Sequence, residues 1–158
     1  MFKTRLDQIH QKLIAQKKTI STAESCTGGL LSSLLTQIGG SSIYFILGVT
    51  TYSNIAKEKF LNIPEKTIAR YGAVSAQVAS LMAINIRKKM RTDFGLSITG
   101  IAGPQGATKN KPVGTVFIGL SAQNKNSCRK FLFSGSRLSI RKKSAQAALN
   151  LLYANLAL

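Results

Sequence analysis

The 158-residue chain is short of the side chains that hold metal ions and disulfides. It has one histidine, His10, and two cysteines, Cys26 and Cys128, which lie far apart in the sequence. A structural zinc site needs about four closely spaced ligands, and a disulfide framework needs several cysteine pairs. We therefore expect no metal site and no disulfide, and a reducing cytoplasm is the natural setting for such a chain.

Long hydrophobic runs are also absent. No apolar run approaches the roughly 20 residues that a membrane helix requires. The basic N-terminal segment has Leu6, Ile9 and Leu13 at helical spacing, and it has neither the core nor the cleavage site of a signal peptide. We expect it to form a first helix over 3–16, and we expect no membrane partner.

Acidic residues are the third shortage. Lys and Arg total 22 against 5 Asp and Glu, which gives a net charge of +17. This charge attracts phosphorylated metabolites, nucleic acids or acidic membranes, but a generally basic proteome would produce it as well. The basic residues form short groups rather than a tail, and no aromatic-basic RNA-binding motif is present. A nucleic-acid partner is therefore not the expected one, although the charge leaves it open.

Short segments rich in β-branched residues alternate with amphipathic segments along the chain. This order predicts a layered α/β fold with a mixed sheet, because the two final strands are joined by a hairpin-like turn at 124–126. The predicted strands lie at 18–23, 43–53, 94–99, 115–123 and 127–135. No internal repeat or linker interrupts them, so we expect residues 1–158 to form a single domain.

Three polar segments follow predicted strands: "AESCTGG", "TYSNIAK" and "TGIAGPQG". In open α/β sheets the strand-to-helix ends gather around one crevice. We therefore expect Ser25, Tyr52, Lys57 and Thr99 to approach a common site. The loop over 100–114 is longer than a connection requires, and loops of this length are commonly functional or mobile.

The first segment has two interpretations. Thr27, Gly28 and Gly29 open a predicted helix, so their free N–H groups could hold a phosphate or an oxyanion. Alternatively, Ser25 or Thr27 only caps the helix and the glycines ease the turn. The segment is neither a G-x-S-x-G elbow nor a Walker P-loop.

The second segment supplies a base without histidine. A lysine of lowered pKa can activate a serine, and Tyr52 could bond both Ser25 and Lys57 and relay a proton. The alternatives are a solvated lysine with a packed tyrosine, or a Glu-Lys-Cys set built from Glu24, Lys57 and Cys26. Alternating side chains in an extended segment would point Ser25 and Cys26 in opposite directions, which disfavours that set. The glycines of "TGIAGPQG" could equally form a simple turn.

Taken together, these segments resemble the CinA C-terminal-domain family, and the resemblance covers nearly the whole chain. The segments that carry it are "TAESCTGG", "GVTTYSNIAKEKFLNI", "YGAVSAQVASLMA" and "SITGIAGPQGATKNKPVGTVFIG". The resemblance implies a single three-layer α/β/α domain with a mixed β-sheet of about five strands, and frequently a homodimer. The two-domain members carry a separate N-terminal domain, and we expect none in these 158 residues, which have room for one domain.

The resemblance also implies functional residues. The family's catalytic serine, tyrosine and lysine fall on Ser25, Tyr52 and Lys57. The family's T-G-I-A-G-P motif places Thr99 and Gly100 in substrate binding. An arginine near the C-terminus binds substrate in the family; Arg137 and Arg141 both compete for that position, and Arg137 is favoured because it follows "FSGS".

Family members that stand alone are nicotinamide-nucleotide amidases. The resemblance therefore implies hydrolysis of nicotinamide mononucleotide to nicotinic acid mononucleotide and ammonia, without metal or cofactor. Two other interpretations remain open: an amidase of the same fold with a different amide substrate, and a non-catalytic module that binds nucleotide or nucleic acid through the basic surface.

Overall fold

A mixed five-stranded sheet organises the chain, as the computed structural model shows over residues 2–156. The strands are β1 (Ile20–Glu24), β2 (Phe45–Thr50), β3 (Phe94–Gly100), β4 (Thr115–Ser121) and β5 (Asn126–Leu132). Their spatial order is β2-β1-β3-β4-β5. β1 is parallel to both of its neighbours, whereas β3, β4 and β5 pair antiparallel.

Six α-helices accompany these strands in the described residues. They are α1 (Phe2–Ala15), α2 (Leu30–Leu35), α3 (Asn54–Leu61), α4 (Glu65–Tyr71), α5 (Ala76–Met90) and α6 (Arg137–Leu156). The helices α1, α2 and α6 cover one face of the sheet, and α3, α4 and α5 cover the other. The predicted α/β/α layering with a mixed sheet is therefore confirmed. No helix within residues 2–156 has both the length and the apolar character needed to cross a bilayer.

The two faces of the sheet differ in side-chain size. The even positions of β3 and β4, such as Leu96 and Ile118, belong to the apolar core beneath α1 and α6. The opposite face carries Gly95, Ser97 and Gly119, and a Cβ atom at either glycine would clash with the backbone of α5. Small residues there bring α5 close to the sheet.

Two helix boundaries differ from the sequence-based prediction. The segment "GLLSSLLTQIG" predicts a helix over 29–39, but α2 ends after Leu35 and the chain then turns into a 3₁₀ helix at Ser41–Ile43. The closing segment predicts a last helix from residue 139, and α6 begins earlier, at Arg137. Residues 157–158, which the sequence pattern places in that helix, lie outside the described residues.

Candidate active site

Ser25 lies in the turn that follows the carboxyl end of β1. Its N–H donates to the carbonyl of Ile98 in the neighbouring parallel strand at 2.9 Å, and its side chain is 9% exposed. Because β1 lies between two parallel strands, the segments that follow all three strands meet at this edge of the sheet.

Lys57 reaches this turn from α3. Ser53 caps that helix by accepting from the N–H of Ala56 at 3.1 Å. Lys57 is only 1% exposed, and its Nζ lies 3.0 Å from Ser25 Oγ. The predicted approach of Ser25 and Lys57 is therefore present in the structure.

The surroundings of Lys57 fit a base. Its Nζ donates to the carbonyls of Thr51 at 2.8 Å and Tyr52 at 3.1 Å, so two of its hydrogens have fixed acceptors. The remaining position faces Ser25. In the neutral amine this position is a lone pair that accepts the hydroxyl proton, and in the ammonium it is another N–H.

Burial favours the neutral amine. Desolvation by burial lowers the pKa of Lys57 to about 8, and the neighbouring Cys26 acts in the opposite direction. Among the residues that the structure describes, Lys18 and Asp93 form the one ion pair. No carboxylate in that part of the chain therefore stabilises a charged Lys57 by an ion pair.

The side chain of Tyr52 is directed elsewhere. Its hydroxyl accepts from Arg137 Nη2 at 2.9 Å, and its side chain is 58% exposed. Arg137 Nη1 also donates to the carbonyl of Gly103 at 2.8 Å. The prediction that the Tyr52 hydroxyl bonds Ser25 and Lys57 is therefore wrong for this structure. Lys57 Nζ donates to the backbone carbonyl of Tyr52 instead.

A cavity of about 310 Å³ opens above the Ser25–Lys57 pair. The predicted site residues that line it are Ser25, Tyr52, Lys57, Thr99, Gly100 and Arg137. A larger groove of about 620 Å³ runs along α6, but none of these residues lines it. We place the site in the smaller cavity, because that is where the nucleophile candidate and the buried amine meet.

Thr99 and Gly100 shape the wall of this cavity. The Thr99 hydroxyl donates to the carbonyl of Ala73 at 2.9 Å and so holds the segment before α5 against β3. A Cβ atom at Gly100 would lie 2.7 Å from Val116 Cγ2, which explains the glycine by packing.

The start of α2 is not free. Glu24 Oε2 accepts from the N–H of Gly29 at 3.1 Å, and the Gly28 N–H donates to the carbonyl of Ser25 at 3.0 Å. The glycines adopt φ values of 60° and 95°, which favour residues without a Cβ atom. The prediction that Gly28 and Gly29 offer free N–H groups to an anion is wrong, because the chain's own carboxylate and carbonyl occupy them. Thr27 is fully buried and does not line the cavity.

The two arginines proposed for substrate binding differ in position. Arg137 lines the cavity, whereas Arg141 lies outside it and donates from Nη2 to the carbonyl of Thr27 at 2.7 Å. Arg141 therefore bonds the turn between β1 and α2 from the α6 side.

The Glu-Lys-Cys alternative does not fit the geometry. Glu24 accepts from the start of α2 and not from Lys57, and Cys26 belongs to the apolar core although it also lines the cavity, whereas Ser25 contacts Lys57 directly. Desolvation raises the pKa of the Cys26 thiol to about 11, which disfavours the thiolate. The expected opposite directions of Ser25 and Cys26 stay a prediction, because both residues line the cavity.

The sequence did not predict several groups that belong to the site. The carbonyl of Thr51 and the wall at Ala73 and Val74 belong to the site through backbone position, for which residue type gives no signal. Gln105 and Gly106 also line the cavity, as the predicted functional role of the 100–114 loop suggests.

The fold and the site together define an α/β/α protein with a buried serine–lysine pair at the carboxyl ends of its parallel strands. The sequence profile of the CinA C-terminal domain matches residues 3–156, and the chain belongs to that family.

Curated relatives agree with this membership. A CinA-like protein of Leptospira biflexa is 51% identical over 149 residues, covering 94% of this chain and 36% of the relative. A putative competence-damage inducible protein of Moorella thermoacetica is 48% identical over 144 residues, covering 91% and 35%. The chain thus spans about a third of the length of these relatives.

Solved structures have the same fold. A CinA superfamily protein from Klebsiella pneumoniae superposes with a TM-score of 0.95 at 28% identity, covering 99% of this chain and 98% of that one. A competence/damage inducible protein from Agrobacterium tumefaciens gives 0.95 at 36% identity, covering 99% and 96%.

Proposed function

We propose that the chain is an amidase that hydrolyses the carboxamide of nicotinamide mononucleotide to nicotinic acid mononucleotide and ammonia. The observation that carries this proposal is the 3.0 Å contact between Ser25 Oγ and the buried Nζ of Lys57 at the floor of the cavity. A serine activated by a neutral lysine is a known nucleophile for acyl transfer.

The reaction would proceed through an acyl-enzyme. Ser25 Oγ attacks the carboxamide carbon while its proton passes to Lys57 Nζ. Lys57 then returns the proton to the departing nitrogen, and ammonia leaves. A water molecule attacks the acyl carbon, gives its proton to Lys57, and releases the carboxylate product with the Ser25 hydroxyl restored.

The oxyanion of each tetrahedral intermediate needs donors near Ser25. The N–H groups of Gly28 and Gly29 are occupied. The N–H of Cys26 donates to no other residue in the described part of the chain, and Cys26 lines the cavity, so we assign its N–H this role.

The substrate's phosphate requires a cation at the cavity. Arg137 stands at the rim, where Tyr52 and Gly103 hold its guanidinium. A phosphate displacing these neutral acceptors would gain a charge-assisted, bidentate contact.

The proposal is tested by incubating the purified protein separately with nicotinamide mononucleotide, nicotinamide riboside and nicotinamide, and measuring ammonia and the deamidated product. We expect turnover of the mononucleotide and little of the compounds without phosphate. Equal rates on all three would reject the nucleotide as the substrate class, and no ammonia from any of them would reject the amidase.

A binding module is the second candidate, and the net charge of +17 favours it. Such a module has no use for a buried, partly neutral lysine at a serine, and its affinity for nucleic acid would fall steeply with salt.

A further inference from the structure

Glu24 is a fully buried carboxylate directly before the proposed nucleophile. Its Oε2 accepts from the N–H groups of Gly29 at 3.1 Å and Leu31 at 3.0 Å. Its Oε1 accepts from the N–H of Ser32 at 2.8 Å and from the Ser32 hydroxyl at 2.7 Å. Four donors from one short segment therefore converge on a single side chain.

These contacts are the means by which the charge is accommodated. A buried carboxylate is costly unless it is paired or hydrogen-bonded, and the first N–H groups of a helix are donors in search of an acceptor. No basic side chain forms an ion pair with Glu24 within the described residues. The carboxylate and the start of α2 consequently satisfy each other.

The two ends of the Ser25 turn are held differently. At the strand end, the carbonyl of Glu24 accepts from the N–H of Thr51, and Ser25 donates to Ile98, both at 2.9 Å. At the helix end, the Glu24 side chain holds the amides of Gly29 and Leu31. Glu24 thus links the end of β1 to the start of α2 across the residues between them.

We propose that Glu24 is a positioning residue, whose carboxylate fixes the turn 25–29 so that Ser25 Oγ stays on Lys57 Nζ. This inference rests on the proposed role of Ser25 as nucleophile. Glu24 itself faces α2, on the opposite side of the extended segment from the cavity, so it acts through Ser25 and does not touch substrate.

The experiment compares Glu24→Gln with the wild type and with Asp93→Asn. The glutamine keeps the shape of the side chain but brings an amide nitrogen to donors that need an acceptor, so the turn must shift. Asp93 is the control carboxylate: it also joins two segments, because it accepts from the N–H and hydroxyl of Thr19 and from Lys18 Nζ, and it does not line the cavity.

The main readout is the rate at which a fluorophosphonate probe labels Ser25, measured by peptide mapping well below the melting temperature of each variant. A displacement of about 1 Å costs up to about 100-fold in reactivity, and we expect Glu24→Gln to slow labelling at least tenfold. We expect Asp93→Asn to lose stability but to be labelled at the wild-type rate. With nicotinamide mononucleotide, Glu24→Gln should lower kcat by a similar factor and leave KM unchanged.

If Glu24→Gln does not fold, Ser32→Ala replaces it, since it deletes one hydroxyl donor to Glu24 and should slow labelling in the same direction by a smaller factor. Glu24→Gln or its replacement labelled at the wild-type rate would overturn the proposal and leave Glu24 with a role in stability alone. A wild-type protein that the probe does not label at Ser25 would overturn it too. Labelled Ser25 without ammonia release from the nucleotide would instead reject only the substrate assignment.

Discussion

The Nζ atom of Lys57 donates to the Thr51 carbonyl at 2.8 Å and lies 3.0 Å from Ser25 Oγ, in a side chain that is 1% exposed. This relationship places a buried amine against a hydroxyl that lines the cavity.

The activity should depend on pH through Lys57. The base works only as the neutral amine, and burial lowers its pKa to about 8. We therefore expect kcat/KM for the nucleotide amide to fall about tenfold per unit as pH drops below that value, and to level off above it. A flat profile between pH 6 and 9, outside the range of substrate titration, would contradict Lys57 as the base.

A positive charge alone at position 57 should not support activity. Lys57→Arg keeps a cation, but a guanidinium with a pKa above about 12 cannot accept the Ser25 proton near neutral pH. We expect Lys57→Arg to be nearly as inactive as Lys57→Ala, with a loss of about 100-fold or more in kcat. If Lys57→Arg retained most of the activity, residue 57 would act through its positive charge and not as the base.

Lys57 should also lower the free energy of unfolding near neutral pH. The folded protein binds this proton with a pKa of about 8, against 10.5 for an ordinary lysine, so the unfolded state holds more protons between those values. The wild type should therefore gain stability relative to Lys57→Met as pH rises from 8 to 10.5, by at most about 3 kcal/mol. Denaturant unfolding of both proteins at each pH measures this difference, in which all other titrating groups cancel. A constant difference would mean that the lysine is not desolvated.

Arg137 should contribute to substrate capture. Its guanidinium donates to the Tyr52 hydroxyl from Nη2 and to the Gly103 carbonyl from Nη1, and the compact ammonium of a lysine does not reproduce this planar arrangement of two nitrogens. We expect Arg137→Lys to raise KM about tenfold and to change kcat by less than about threefold. Initial rates over a range of nucleotide concentrations give both constants. Lys142→Gln serves as the control, because Lys142 lines the larger groove along α6 and not the cavity. A large fall in kcat alone would place Arg137 in the chemical step.

The fold was largely predictable because its signals are local. Alternating strand and helix patterns with one hairpin determine a layered α/β architecture. Because the ends of parallel strands gather at one edge of a sheet, the sequence also predicted that Ser25 and Lys57 approach each other. Membership of the family, inferred from the motifs, is confirmed by the match over residues 3–156.

The errors concern where polar groups find their partners. The glycine-rich turn looked like an open anion site, but Glu24, which precedes it, folds back onto the helix start. Tyr52 follows its strand as expected, yet its hydroxyl pairs with Arg137, which is distant in sequence. Such pairings depend on the three-dimensional approach of segments, and residue type and spacing do not specify them.

The identity of the nucleophile is the central claim, and ammonia release by two neighbouring variants tests it most directly. Ser25→Ala and Cys26→Ala are compared with the wild type on nicotinamide mononucleotide, after circular dichroism and melting show that each is folded. We predict that Ser25→Ala releases no ammonia above background, because the Lys57 amine then faces no hydroxyl, and that Cys26→Ala retains most of the activity. An active Ser25→Ala protein together with an inactive Cys26→Ala protein would contradict the account.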